Sequence, residues 1–172
     1  MSQMNVKIRL IINFLLFQVS WFSALFFQEG ALIIIVVAII CMGLFVQSRP
    51  LSLYIVACLL PISLLFEFIA ISAGVVSYEA AFIPIWLVGL WVALLLTFND
   101  SFKFMLSLQW WKVAIAFAVF GPLSYSAGAS FGALSISESM TYYWALFGVM
   151  WAGYAMLAKY MYQSAVIKFQ QP

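Results

Sequence analysis

Six apolar stretches separated by short polar breaks run through this chain, and a water-soluble fold has no place for them. A helix needs about 20 mainly apolar residues to cross the hydrocarbon core of a bilayer. The stretches run from about Ile8 to Phe27, Ala31 to Val46, Leu51 to Val75, Phe82 to Phe98, Lys112 to Leu134 and Thr141 to Lys159. Only 7% of residues are charged and 67% are hydrophobic, whereas a soluble domain carries about 25% charged residues. The expected fold is therefore an all-α membrane protein, a polytopic bundle of about six transmembrane helices. No Gly/Ser-rich or Pro-rich linker divides residues 1–172, so they read as a single integral membrane domain.

Charge orients the bundle. Short cytoplasmic loops carry the excess of Lys and Arg in membrane proteins. With six crossings, Lys7, Arg9, Arg49, Lys103, Lys112, Lys159 and Lys168 all fall on one side. The other side receives Glu29, Glu79 and Glu138 and no basic residue. Five or seven crossings would split the basic residues, so the expected topology is N-in and C-in. The segment that Lys7 and Arg9 introduce is too long for a signal peptide, has no small-x-small cleavage site after it, and reads as retained. Residues 101–111 mix Lys103 and Gln109 with Phe102, Phe104 and Trp110-Trp111, the composition of a segment lying in the cytoplasmic interface. Trp86, Tyr142, Tyr143 and Trp144 suit an aromatic belt on the other side. Three helices on each side of the Glu79 loop would give halves of opposite topology, although no internal sequence similarity accompanies them.

Composition also excludes partners. The net charge of +2 is small and its basic residues are scattered, so no nucleic-acid surface is expected. Histidine is absent, and Cys41 and Cys58 sit in apolar runs. No metal site or cofactor is expected, since the usual ligands are missing. The two cysteines read as small buried hydrophobes, with a disulfide between neighbouring helices as the alternative.

Glu67 is the acidic residue lying well inside an apolar run. A charged side chain at a helix centre costs about 2.5–3.5 kcal/mol on insertion scales, so an intramembrane carboxyl usually faces the bundle or a cavity. Glu67 is accordingly expected to be neutral and hydrogen-bonded. Its alternative roles are reaching the outer headgroups or tying two helices together. Pro61 precedes it and is expected to bend the third helix. In the fifth helix, Ser124, Gly128 and Gly132 recur every four residues, which reads as a helix-packing face. Alternatively, Gly121-Pro122 breaks that helix and presents Ser124, Tyr125 and Ser126 to a ligand. Counted from the cytoplasmic ends, Tyr125 and Glu67 lie at comparable depth. On the first helix Asn13 and Gln18 need polar partners in lipid, while Trp91 and Trp151 lie too deep for a belt and either pack the bundle or line a pocket.

Asn13-x-x-x-Phe17-Gln18-x-x-Trp21, Pro84-x-Trp86-x-x-x-Leu90-Trp91 and Gly121-Pro122-Leu123-Ser124-Tyr125-x-x-Gly128 occur in this order. On these short motifs nearly the whole chain resembles the DUF2878 family of small bacterial inner-membrane proteins, a family of unknown function. The resemblance implies a multi-pass protein of the bacterial inner membrane, with an acidic residue, commonly Asp, where Glu67 stands. It also implies a lipid-related role by association with neighbouring genes for fatty-acid or phospholipid modification. The expected function is a non-enzymatic component that handles a lipid or small molecule within the bilayer. The competing readings are an intramembrane lipid-modifying enzyme using Glu67 and an assembly subunit docking through the fifth helix. Against the enzyme stand the lack of histidine, of a nucleophile motif and of a second deep carboxylate. The protein partners are left open.

Overall fold

A computed structural model describes residues 5–79 and 82–170. Helix α1 (Val6–Phe27) is capped by the Asn5 side chain, which accepts from the Lys7 amide, and a 3-10 turn (Gln28–Ala31) joins it to α2 (Leu32–Phe45). Gln28 takes φ 47°, an uncommon left-handed conformation for a residue with a Cβ. The chain reverses there, and Phe17 of α1 shares a core cluster with Met42 of α2. Helix α3 (Arg49–Ser72) starts with Pro50 in its first turn, where the missing N–H costs nothing. After it come strand β1 (Val76–Ser77), α4 (Ile85–Thr97), the short α5 (Lys103–Ser107), α6 (Trp110–Ser130) and strand β2 (Ser135–Ile136). A final helical stretch opens as α7 (Met140–Tyr142), widens into a π-helical turn (Tyr143–Phe147) and continues as α8 (Gly148–Gln170). Val6–Phe45, Arg49–Ser72 and Trp110–Ser130 are long and apolar enough to cross a membrane, and Ile85–Thr97 is a shorter apolar helix.

Several helix ends differ from those read in the sequence. Helix α6 stops at Ser130 because Gly132 adopts φ 76°, so Gly132 lies beyond the helix and packs against no neighbour. The last helix runs past Lys159, whose ammonium donates to the Leu108 carbonyl and sits 4.9 Å from the Trp110 ring centre. That charge is satisfied against the fold and does not end the helix. Pro122 does not break α6 either. The carbonyl of Ala118, which Pro122 cannot serve, faces Gly148, where a Cβ would come within 3.3 Å of it. Cys41 and Cys58 are both free.

The contacts sort the chain into two ends. At one, Arg9 Nε donates to Asp100 Oδ1 at 3.0 Å, the Gln47 amide donates to Asp100 Oδ2 at 3.4 Å, and Asn99 Nδ2 donates to Ser52 Oγ at 3.1 Å. Burial pushes the Asp100 carboxyl above its usual range, while the Gln47 amide and the Arg9 guanidinium pull it back. At the other end β1 pairs antiparallel with β2, Val76 opposite Ile136, and Gln28 Nε2 donates to the Gly132 carbonyl at 3.0 Å. Glu29, Glu79 and Glu138 lie in or next to the segments at this second end. Helix α4 packs on α1, α2 and α3. Trp86 on it is buried and meets Tyr78 edge-on, so it belongs to the core and not to a surface belt.

The hairpin α3–β1–α4 corresponds to α6–β2–α8. Both first helices end on a left-handed glycine, Gly74 and Gly132. The residue after each returns its amide five residues, Val75 to Ala70 and Ala133 to Gly128, and closes the same C-terminal motif. Seven residues before each glycine stands a buried polar group, Glu67 and Tyr125. Trp91 follows Gly74 by seventeen residues and Trp151 follows Gly132 by nineteen, the longer interval containing the π turn. The two hairpins run in the same direction, since β1 and β2, which lie at their turns, pair at one end of the bundle.

Candidate functional site

Glu67 lies fully buried in the last third of α3, five residues before its end. Trp91 Nε1 on α4 donates to its Oε1 at 2.8 Å, the Tyr125 hydroxyl on α6 donates to the same oxygen, and the Tyr78 hydroxyl donates to Oε2 at 3.3 Å. One carboxyl thus ties together three helices and the loop after β1. Oε2 has a single partner, and a tyrosine hydroxyl both donates and accepts, so an acid proton fits on Oε2 without displacing a donor. Around this centre Trp91 and Trp151 stack at 5.5 Å, Phe66 meets Trp151 edge-on at 5.0 Å, and Ser63 Oγ lies 2.8 Å from the Tyr154 hydroxyl.

Next to the centre is a cavity of about 580 Å³ between α1, α4 and α6. Its walls carry Gln18 and Trp21 from α1, Trp91 from α4, and Ser124, Tyr125 and Gly128 from α6. Ser101 and the start of α5 form its floor at the basic end. Phe14, Phe104 and Phe120 line it and are also exposed, so it opens on the side of the bundle. Helices α1 and α6 do not pack along their lengths. They meet at the end where β1 and β2 pair, with Phe26 edge-on to Phe131 at 4.8 Å beside the Gln28–Gly132 bond.

Of the residues singled out from sequence, Gln18, Trp91, Ser124 and Tyr125 meet at this cavity. Glu67 does not line it: the Trp91 and Tyr125 side chains that bond the carboxyl form the wall in front. Asn13 sits behind the floor, its Oδ1 accepting from Ser101 Oγ at 2.6 Å. Ser126 turns away and donates to the Tyr143 hydroxyl at 3.3 Å. The supposed packing face is also a cavity face, since Ser124 bonds only the Phe120 carbonyl of its own helix and Gly128 lines the hollow. The close helix contact is made instead by Gly121, where a Cβ would stand 2.4 Å from the Trp151 ring. Tyr78 was not singled out as a partner of Glu67, whereas Trp151, expected to pack the bundle or line a pocket, does both.

Residues 10–157 match a family described as protein of unknown function, DUF2878. The chain belongs to that family. No curated protein and no solved structure matches it. The function of this DUF2878 member therefore has to be read from its own geometry. Among the described residues the cavity is lined by no acid, base or cysteine.

Proposed function

We propose that this chain is a six-span protein of a bacterial inner membrane, with both termini in the cytoplasm, that holds the apolar chain of a lipid in its lateral cavity without transforming it. The cavity of about 580 Å³ carries this reading. Ligand sites of this kind are largely apolar hollows of about 300–1,000 Å³ with few polar groups. Here the aromatic and aliphatic walls open sideways between α1 and α6, where a bilayer would supply the ligand. The topology is supported by the gathering of Arg9, Arg49 and Lys103 toward the end opposite Glu29, Glu79 and Glu138. A binding role is favoured over catalysis because Glu67 stands behind Trp91 and Tyr125, out of reach of a chain in the hollow.

Native mass spectrometry of the protein released from detergent tests this. The wild type should retain a lipid, and Ser124→Phe, which fills the hollow from α6, should lose it while remaining folded. A wild type free of lipid, or equal retention by the folded variant, would reject the reading.

A further inference from the structure

The geometry points to an anionic phospholipid, with its headgroup phosphate at the basic end of the cavity beside Lys103 and Arg9 and its chain running toward β1 and β2. This rests on the lipid-binding reading and assigns the lipid's class and direction. Three observations carry it. First, the outer end of the cavity is bridged by Phe26 against Phe131 and by the Gln28–Gly132 bond, so a bulky head has no place there. Second, the floor at the other end is made by Ser101, Phe102, Phe104 and Met105. Lys103 is exposed between these lining residues.

Third, Arg9 donates only its Nε to Asp100 among the described residues, and its side chain keeps 15% exposure. The terminal nitrogens of its guanidinium remain for a second anion. The Asp100 carboxylate is paired with Arg9 and the Gln47 amide, so the excess positive charge at this end rests on Lys103. Excess basic residues at a cytoplasmic end are general to membrane proteins. The specific feature here is a lysine set between residues that line the mouth, with the acids Glu29, Glu79 and Glu138 at the far end. Phosphate recognition by Arg and Lys at such a mouth is charge-assisted and directional.

The test uses two lipids with the same acyl chains and a diazirine at the terminal carbon, one with a phosphoglycerol head and one with a phosphocholine head. Each is reconstituted with the full chain in nanodiscs, photolysed, and its adducts mapped. The wild type should label several-fold more with the anionic lipid, with adducts near Leu25 and Leu134. Lys103→Glu should bring the anionic yield down to the zwitterionic one, and Ser124→Phe should lower both. Equal labelling of the wild type by the two lipids, no effect of Lys103→Glu, or adducts centred on Phe102 to Met105 would overturn the assignment while Ser124→Phe still lowers both yields. If Ser124→Phe lowers neither, the cavity itself is not the lipid site.

Discussion

The two faces of α6 differ sharply. Toward α8 it packs closely: a Cβ at Gly121 would stand 2.4 Å from the Trp151 ring and one at Gly148 3.3 Å from the Ala118 carbonyl oxygen. Toward α1 and α4 the same helix leaves a hollow of about 580 Å³. A helix that achieves such close packing on one side is not hollow on the other for want of suitable residues. The corresponding hairpins sharpen the point. Helix α3 packs on α8 through Ser63 and Tyr154, whereas the matching approach of α6 to α4 is not made, and the cavity lies there. Trp151 Nε1 is buried without a partner among the described residues. Its counterpart Trp91 donates to Glu67, whereas the residue in the place of Glu67 is Tyr125, which itself donates to Glu67.

Glu67 is where the packed and hollow regions are joined, and its replacement should have the largest effect. Glu67→Leu leaves the buried Trp91, Tyr78 and Tyr125 donors without an acceptor. Each buried donor stranded in this way costs about 1–3 kcal/mol, so a loss of about 3 kcal/mol or more is expected. Glu67→Gln keeps an oxygen for Trp91 and Tyr125 and offers an amide to the Tyr78 hydroxyl, and should lose about 1 kcal/mol, the scale of one altered hydrogen bond. Unfolding in mixed micelles measures both. Equal losses would mean that these bonds do not hold the cavity wall.

The packed face gives the next largest effect. A Cβ at Gly121 would stand 2.4 Å from the Trp151 ring, which is itself held by Trp91 and Phe66. Overpacking of a filled core costs about 1–3 kcal/mol, against about 0.5–1 kcal/mol gained by replacing a helical glycine with alanine. Gly121→Ala should therefore destabilise, read as a lower midpoint in the same unfolding assay. A neutral result would show that α8 can move away and that the tight face is softer than its contacts imply.

These residues also show what the sequence makes legible. The apolar runs and the distribution of charge constrain helices and their ends, because the bilayer acts on composition and position. Glu67 stands out since a lone acid in an apolar run has few bland explanations. A face of small residues on α6 is legible too, but its neighbour is not. Gly128, expected to pack, and Ser124, expected either to pack or to face a ligand, line the hollow, while Gly121, part of the Gly-Pro pair, makes the contact with Trp151. Small side chains permit either close approach or empty space, and the choice is made by which helix arrives opposite. Likewise Trp86 lies near the start of α4, where a belt is expected, but it is buried against Tyr78. That Tyr78 reaches Glu67 depends on the path of a loop, which no periodicity encodes.

The smallest expected effect is the most discriminating. Gly128 lies two turns after Gly121 on the same side of α6, and both line the hollow, but a Cβ at Gly128 would meet Leu134 Cδ2 at 3.1 Å. That atom is the tip of a flexible side chain which itself lines the cavity, so it can yield by a few tenths of an ångström into empty space. The helix-propensity gain of about 0.5–1 kcal/mol then outweighs the contact, and Gly128→Ala should be neutral or slightly stabilising. Set beside Gly121→Ala, it makes the same chemical change two turns along one helix, against a yielding side-chain tip instead of a held ring, and opposite signs are expected. A loss at Gly128 as large as that at Gly121 would mean that the hollow is closed in the folded protein, and the lipid-binding reading would lose its support.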